Sequence, residues 1–262
     1  MSLLTSKNLS KTFTVHKRTG FFSREKKEVK ALINFDLEIE KPMIFGLVGP
    51  NGAGKTTFIK HCLGLVEKSE GEISVLGYYP YQRKPDFLRQ VGLVSGQKQN
   101  LDPNLSAEES LMLSGYLYDM QEPNITNRIN ELVDIFDIRE KLDVPVRQLS
   151  LGQRMKFEII SSVLHSPKFL FMDEPTLGLD FEAQTTMRTL LKTLHQEQGL
   201  TILLTSHYLP DITLLCEKLA VIEKGQKVFE GTVKELSEKA EQEGYLKTLI
   251  EELNKQVEED KK

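Results

Sequence analysis

The sequence predicts an α/β protein: a P-loop NTPase core with a mainly parallel sheet, an N-terminal antiparallel β subdomain and an inserted α-helical subdomain. Three observations carry this. Apolar runs at 43–48, 168–172 and 200–205 alternate with helical stretches, and buried strands separated by helices build a parallel sheet. The first run leads straight into Gly49-Pro50-Asn51-Gly52-Ala53-Gly54-Lys55-Thr56, the glycine-rich pattern that cradles phosphates between a strand and a helix. Residues 32–40 alternate apolar and polar, which marks an antiparallel strand with one wet face.

Taken in order, residues 3–15 read as a strand entering a loop, with Phe13 near its end. The polar and mostly basic stretch 16–30 (Lys17, Arg18, Arg24, Lys26, Lys27, Lys30) reads as a solvated loop or hairpin. A surface touching lipid headgroups is the competing reading for it. Thr56 to Leu65 is a helix. Glu70 to Gly77 is a turn, a short strand and a turn, and Val91 to Val94 is another apolar strand. From Ser106 to Leu164 the spacing becomes helical: Leu111, Leu113, Tyr116 and Leu117 come at roughly helical spacing, and Ile129, Leu132, Val133 and Phe136 recur at i, i+3, i+4 and i+7. Pro103 precedes this insertion and Pro145 interrupts it. Thr185 to Gln196 is helical, and 219–222 with 227–229 form a hairpin around Gly225. The charged tail carries an apolar stripe of Leu246, Leu249, Ile250, Leu253 and Val257, expected to pack on its own domain. The expected division is a catalytic domain over 1–235, with the insertion at about 98–165, and a helical tail over 236–262.

Composition sets bounds. The chain has 262 residues, 39% of them apolar, and a net charge of −4. That balance gives no global pull toward nucleic acid. Cys62 and Cys216 stand far apart, outside metal-type spacing, and read as buried free thiols of a reducing compartment. No stretch approaches the roughly eighteen uninterrupted apolar residues of a membrane span, and the first residues lack a signal-peptide layout. The expected location is the cytosol, with the membrane reached only through a partner. His16, His61, His165 and His195 show no ligand spacing. Tyr78, Tyr79 and Tyr81 are expected in a turn packed on the sheet.

The chemistry falls at strand ends. Glycines let backbone N–H groups approach a ligand and form an anion nest, reinforced by the helix N-terminus. Lys55 can reach β- and γ-phosphates, and Thr56 can offer a hydroxyl to Mg²⁺. The strand 169–172 delivers Asp173 and Glu174. Beside a P-loop the first suits Mg²⁺ and the second suits polarising a water. Leu149-Ser150-Leu151-Gly152-Gln153-Arg154 precedes a helix, so Ser150 and glycine N–H groups offer a second anion site. One ATP hardly needs two such sites in one chain, so this one would serve an ATP held by another copy. An ordinary helix cap at Ser150 remains open.

These motifs, with Gly178-Leu179-Asp180 and Ser206-His207, occur in the order and spacing of the ATP-binding subunits of ABC transporters, which the chain resembles over roughly residues 3–233. The resemblance implies that Gly49, Pro50, Asn51, Gly52, Ala53, Gly54, Lys55, Thr56 and Thr57 cradle ATP. It implies that Ser150, Gly152 and Gln153 close on the γ-phosphate of the opposite subunit. Asp173, with Thr56 and Gln97, would support Mg²⁺, and Glu174 would be the general base. Asp180 resembles the aspartate that talks across the dimer, His207 the switch histidine, and Phe13 the ring that stacks on adenine. Leu151 departs from the commonest signature, which has glycine there. Gln99 is a rival to Gln97. The signature variant and the basic stretch before residue 30 resemble an export-type subgroup. The partners implied are a membrane permease subunit and a second copy or a paralogous ATPase, at the cytoplasmic face of the membrane, with no nucleic acid. A non-transport ABC ATPase acting on DNA or ribosomes is the alternative. It is disfavoured by the lack of heptads between 57 and 149 and by the single ATPase unit. A P-loop kinase leaves 149–154 and His207 without a role.

Overall fold

A computed structural model describes residues 2–18, 24–96, 100–207, 209–242, 248, 250 and 251. The chain runs β1 (Leu4–Arg18), β2 (Arg24–Ile39), β3 (Ile44–Val48), α1 (Lys55–Cys62), β4 (Glu70–Val75), α2 (Pro85–Leu88), β5 (Val91–Ser95), α3 (Ala107–Leu117), α4 (Glu122–Ile135), α5 (Leu151–Val163), β6 (Phe169–Asp173), α6 (Phe181–Gln198), β7 (Thr201–Ser206), α7 (Leu209–Leu215), β8 (Lys218–Glu223), β9 (Gln226–Gly231) and α8 (Val233–Gln242).

The main sheet has six strands in the order β5-β6-β7-β3-β8-β9. All neighbours are parallel except β8 and β9. The central strands β3 and β7 are buried at every position because both faces are covered. Their side chains still alternate. Ile44, Val48, Leu170, Met172, Ile202 and Leu204 join one core with α3 to α8. Phe45, Leu47, Phe169, Phe171 and Leu203 join a second core with α1 and the N-terminal sheet. That three-stranded sheet is antiparallel, in the order β2-β1-β4.

The hairpin reading of 16–30 holds, and the loop reading is corrected. Residues 16–18 and 24–30 continue β1 and β2 in register, with Lys17 opposite Glu25 and Thr14 opposite Glu28. β4 pairs only with the Leu4–Ser10 half of β1, so beyond it the hairpin is a two-stranded ribbon. Thr14, Val15 and residues 26–30 are exposed, so this part of the ribbon needs no apolar alternation.

The insertion forms α3, α4 and α5. Ser106 caps α3 with a reciprocal bond pair to Glu109, the sequence device that starts this helix. Ile129, Leu132, Val133 and Phe136 are buried as their spacing predicts. The stripe on α3 behaves differently. Leu111 is buried, whereas Leu113, Tyr116 and Leu117 face outward, Leu117 at 76% exposure. Beyond β9, α8 buries Leu236 and Ala240 against the main core, and Ile250 packs there too. The other members of the tail stripe lie outside the described residues. No helix among the described residues is long and apolar enough to cross a membrane.

Cys62 and Cys216 are buried free thiols. Tyr78 and Tyr79 pack against the second core as the turn reading expects, whereas Tyr81 is exposed. His165 stacks flat on Tyr118 at 3.7 Å. His61 is buried in α1, and burial holds its imidazole down to about 4, from 6.5. The unfolded chain therefore takes up a proton first, so stability is full above about pH 6.5 and falls as pH drops toward 4. This group accounts for a loss of about 2 kcal/mol between pH 7.5 and pH 5. Urea unfolding of His61→Leu at the two pH values is expected to show a gap smaller by that amount than in the wild type.

Candidate active site

β3 ends at Val48, and the chain turns through Gly49–Gly54 into α1. Gly54 is the N-cap residue with φ 116° and caps with no side chain. A Cβ there would sit 2.5 Å from the Ala31 carbonyl oxygen. Only glycine fits that conformation and that approach of β2. The first N–H groups of α1 are left to an outside acceptor. They open onto a cleft of about 330 Å³ lined by Asn51, Gly52, Gly54, Lys55, Thr56, Thr57, Asp173 and Glu174, and closed on one side by Val29, Lys30 and Ala31 of β2.

Lys55 is only 4% exposed. Its Nζ donates to the carbonyl oxygens of Gly49 at 2.7 Å and Pro50 at 3.2 Å, and lies 3.2 Å from Glu174 Oε1. Burial pulls the ammonium below its ordinary value, partly offset by the charges of Glu174 and Asp173. Asp173 closes β6, and its Oδ1 accepts from the hydroxyls of Thr56 at 3.1 Å and Thr205 at 2.8 Å.

Glu174 is held from three sides. Its N–H donates to Thr205 Oγ1 at 3.1 Å, and its Oε2 lies 2.6 Å from His207 Nδ1. Its φ is 53°, left-handed for a non-glycine residue, a conformation retained where the surroundings enforce it. Burial pushes the carboxyl up, but the His207 hydrogen bond and the charges of Lys55 and His207 outweigh it and hold the group below its ordinary value. Parallel pairing of β6 with both β5 and β7 puts these groups side by side at the carboxyl ends of the strands, where such sheets bind ligands.

The other expected residues lie apart. Ser150 is the N-cap of α5: its hydroxyl accepts from Gln153 N at 3.2 Å, and Gln153 Oε1 accepts from Ser150 N at 3.1 Å. The ordinary-cap reading is therefore realised, and a hydroxyl that accepts here keeps its hydrogen for a ligand. Leu151, the unusual signature residue, is half-buried: it packs against the main core and also borders the groove at this helix start. Asp180 caps α6, accepting from Ala183 N at 2.8 Å. Ser150, Gly152, Gln153 and Asp180 line a groove of about 430 Å³ between α5 and α6. That groove shares no residue with the P-loop cleft.

Phe13 is opposite Val29 in the β1–β2 pair, and opposed residues share a face, so it stands beside the cleft without lining it. Lys11 Nζ sits 5.0 Å from its ring centroid. Gln97 lies outside the described residues. Sequence reasoning missed Thr205, whose place at the end of a buried strand was its signal. It also missed the β2 backbone over the P-loop, which had none.

The ABC transporter family model matches residues 32–177, more than half of the chain. The chain belongs to the ABC transporter family. It is 33% identical over 227 residues to the ABC transporter ATP-binding protein NatA of Bacillus subtilis, covering 86% of this chain and 92% of that protein. It is 38% identical over 203 residues to the Nod factor export ATP-binding protein I of Cupriavidus metallidurans, covering 78% of this chain and 66% of the relative's length. A solved ATP-binding subunit of an ABC transporter superimposes with TM-score 0.74 at 27% identity, covering 99% of this chain and 100% of that one. The dimeric ATP-binding cassette MJ0796 bound to ADP and Pi shares the fold, with TM-score 0.74 at 24% identity over 88% of this chain and 98% of that one.

Proposed function

We propose that the chain is the ATP-hydrolysing subunit of an export-type ABC transporter, acting in a head-to-tail pair beneath a separate membrane-spanning partner. The observation that carries this reading is the separation of the two anion-binding features: the P-loop cleft and the groove at Ser150 have no common wall. A second copy, or a paralogous ATPase, brings its Ser150 and Gly152 over the nucleotide in the first. Closure then follows from differential affinity, because only the closed pair contacts both sides of the γ-phosphate. The named relatives are transporter subunits, which favours this reading over action on DNA or ribosomes.

The residues divide the chemistry among themselves. P-loop N–H groups and Lys55 bind the phosphates. Thr56 and Asp173 are adjacent oxygen donors, the kind Mg²⁺ takes alongside phosphate and water, and Gln97 is assigned to the same ion. When bound, Mg²⁺ screens the phosphate charge. Phosphate draws Lys55 away from Glu174, which leaves the carboxylate to accept a proton from the attacking water. His207 Nδ1 orients that carboxylate. Phe13 supplies a ring face to adenine.

The membrane partner is assigned to a groove of about 390 Å³ bordered by Leu63, Leu65, Arg83, Leu88, Leu117 and Tyr118. It adjoins the outward Leu113, Tyr116 and Leu117, and β5, whose first residues border it, ends two positions before Gln97 in the sequence. An apolar patch of this kind marks an interaction surface. On this reading the chain works at the cytoplasmic face of the membrane. The catalytic domain is assigned to 1–235 and the charged tail to 236–262, with α8 crossing the boundary. Affinity purification of the tagged chain from gently solubilised membranes tests the reading. A polytopic membrane protein in comparable amount is the expected result. Recovery of ribosomal or nucleic-acid-bound proteins instead would overturn it.

A further inference from the structure

Glu174 and His207 begin two loops that leave neighbouring strands, β6 and β7. Their functional atoms are 2.6 Å apart, and the last backbone bond between the two segments runs from the Glu174 N–H to the Thr205 carbonyl at 3.2 Å. Beyond them a buried cluster joins the two loops. Asp211, in the first turn of α7, is 2% exposed. Its Oδ2 accepts from the Thr176 hydroxyl at 2.6 Å and its Oδ1 from Arg188 Nη1 at 2.6 Å. Arg188, on α6, has a side chain only 11% exposed. Its Nη2 donates to Thr185 Oγ1 at 3.1 Å.

We propose that Asp211, clamped by Thr176 and Arg188, is a positioning residue that holds the His207 loop against the Glu174 loop for ATP hydrolysis. The proposal rests on the reading of Glu174 as the base. A buried ion pair is no better than apolar packing for stability alone. What it adds is direction, because each carboxylate oxygen fixes one neighbour along one line. Thr176 is two residues from Glu174, and Asp211 is four residues from His207. A shift of Asp211 therefore moves the two catalytic side chains relative to each other. Arg188 extends the clamp to α6, whose N-cap Asp180 faces the groove assigned to the second copy.

Steady-state hydrolysis per folded molecule tests this with Asp211→Asn and Thr176→Val. A misplacement of about 1 Å can cost on the order of 100-fold in rate, so kcat is expected to fall roughly 10- to 100-fold. KM for ATP is expected to stay within about threefold, because the P-loop is untouched. Arg188→Met combined with Asp211→Asn is expected to be no slower than Asp211→Asn alone, since all three residues act as one unit. Should Asp211→Asn fail to fold, Thr176→Val, which deletes one hydroxyl, decides the matter. Folded variants with wild-type kcat, or with raised KM alone, would overturn the proposal. Glu174→Gln assayed in parallel separates the two claims: if it is inactive while Thr176→Val is fully active, the base stands and the clamp falls.

Discussion

Glu174→Gln is expected to lower ATP turnover by about 10²- to 10⁴-fold, the range that a lost general base accounts for, while ATP binding persists. The amide keeps the shape of the side chain and can still meet His207, but it cannot take a proton from water. The surroundings of Glu174 are arranged for the charged form, since the His207 bond and Lys55 hold its pKa below the ordinary value despite burial. The carboxylate is thus ionised at neutral pH and occupied by Lys55 until phosphate competes for the ammonium. Initial-rate hydrolysis, with nucleotide binding measured by equilibrium dialysis, checks this. A variant that binds and hydrolyses like the wild type would remove Glu174 from the mechanism.

Lys55→Ala should be as damaging for a different reason. The ammonium is buried against the P-loop carbonyls and Glu174, so no other cation can take its place from solvent. Losing one preorganised donor to developing charge costs about 10²- to 10³-fold in rate, and here ground-state binding of the phosphates is lost as well. We therefore expect kcat/KM to drop at least 100-fold or so, with weak binding of ATP. The variant also leaves the partly buried Glu174 without its cation, which raises the carboxyl pKa and removes a second requirement of the site. Unchanged nucleotide affinity and rate would contradict the phosphate-binding role.

Much of this was legible because it is local. The P-loop, the strand delivering Asp173 and Glu174, and the Ser150 helix start each lie within a few residues, and apolar runs announce their strands. The rest depends on pairings that no short window contains. No residue of the ribbon whose side chain is described, 11–15 and 26–30, is buried, so these stretches carry no apolar period to read. The outward turn of Leu113, Tyr116 and Leu117 could not be told from a core stripe, because spacing reveals a helix and not which face has a neighbour. Arg188 and Asp211 meet across 23 positions, and on paper each is one more charged residue on a helix. That Ser150 shares no wall with the P-loop is a fact of the folded chain, and sequence reasoning could only argue it from economy.

The central claim is that the catalytic site is completed by a second subunit. It is tested most directly by the mass in solution, from multi-angle light scattering, of Glu174→Gln with and without Mg²⁺-ATP. The account predicts monomers without nucleotide, a doubled mass with it, and no doubling when Ser150→Arg is added to the same background. A Glu174→Gln chain that binds ATP yet stays monomeric at saturation, or a dimer indifferent to Ser150→Arg, would contradict it.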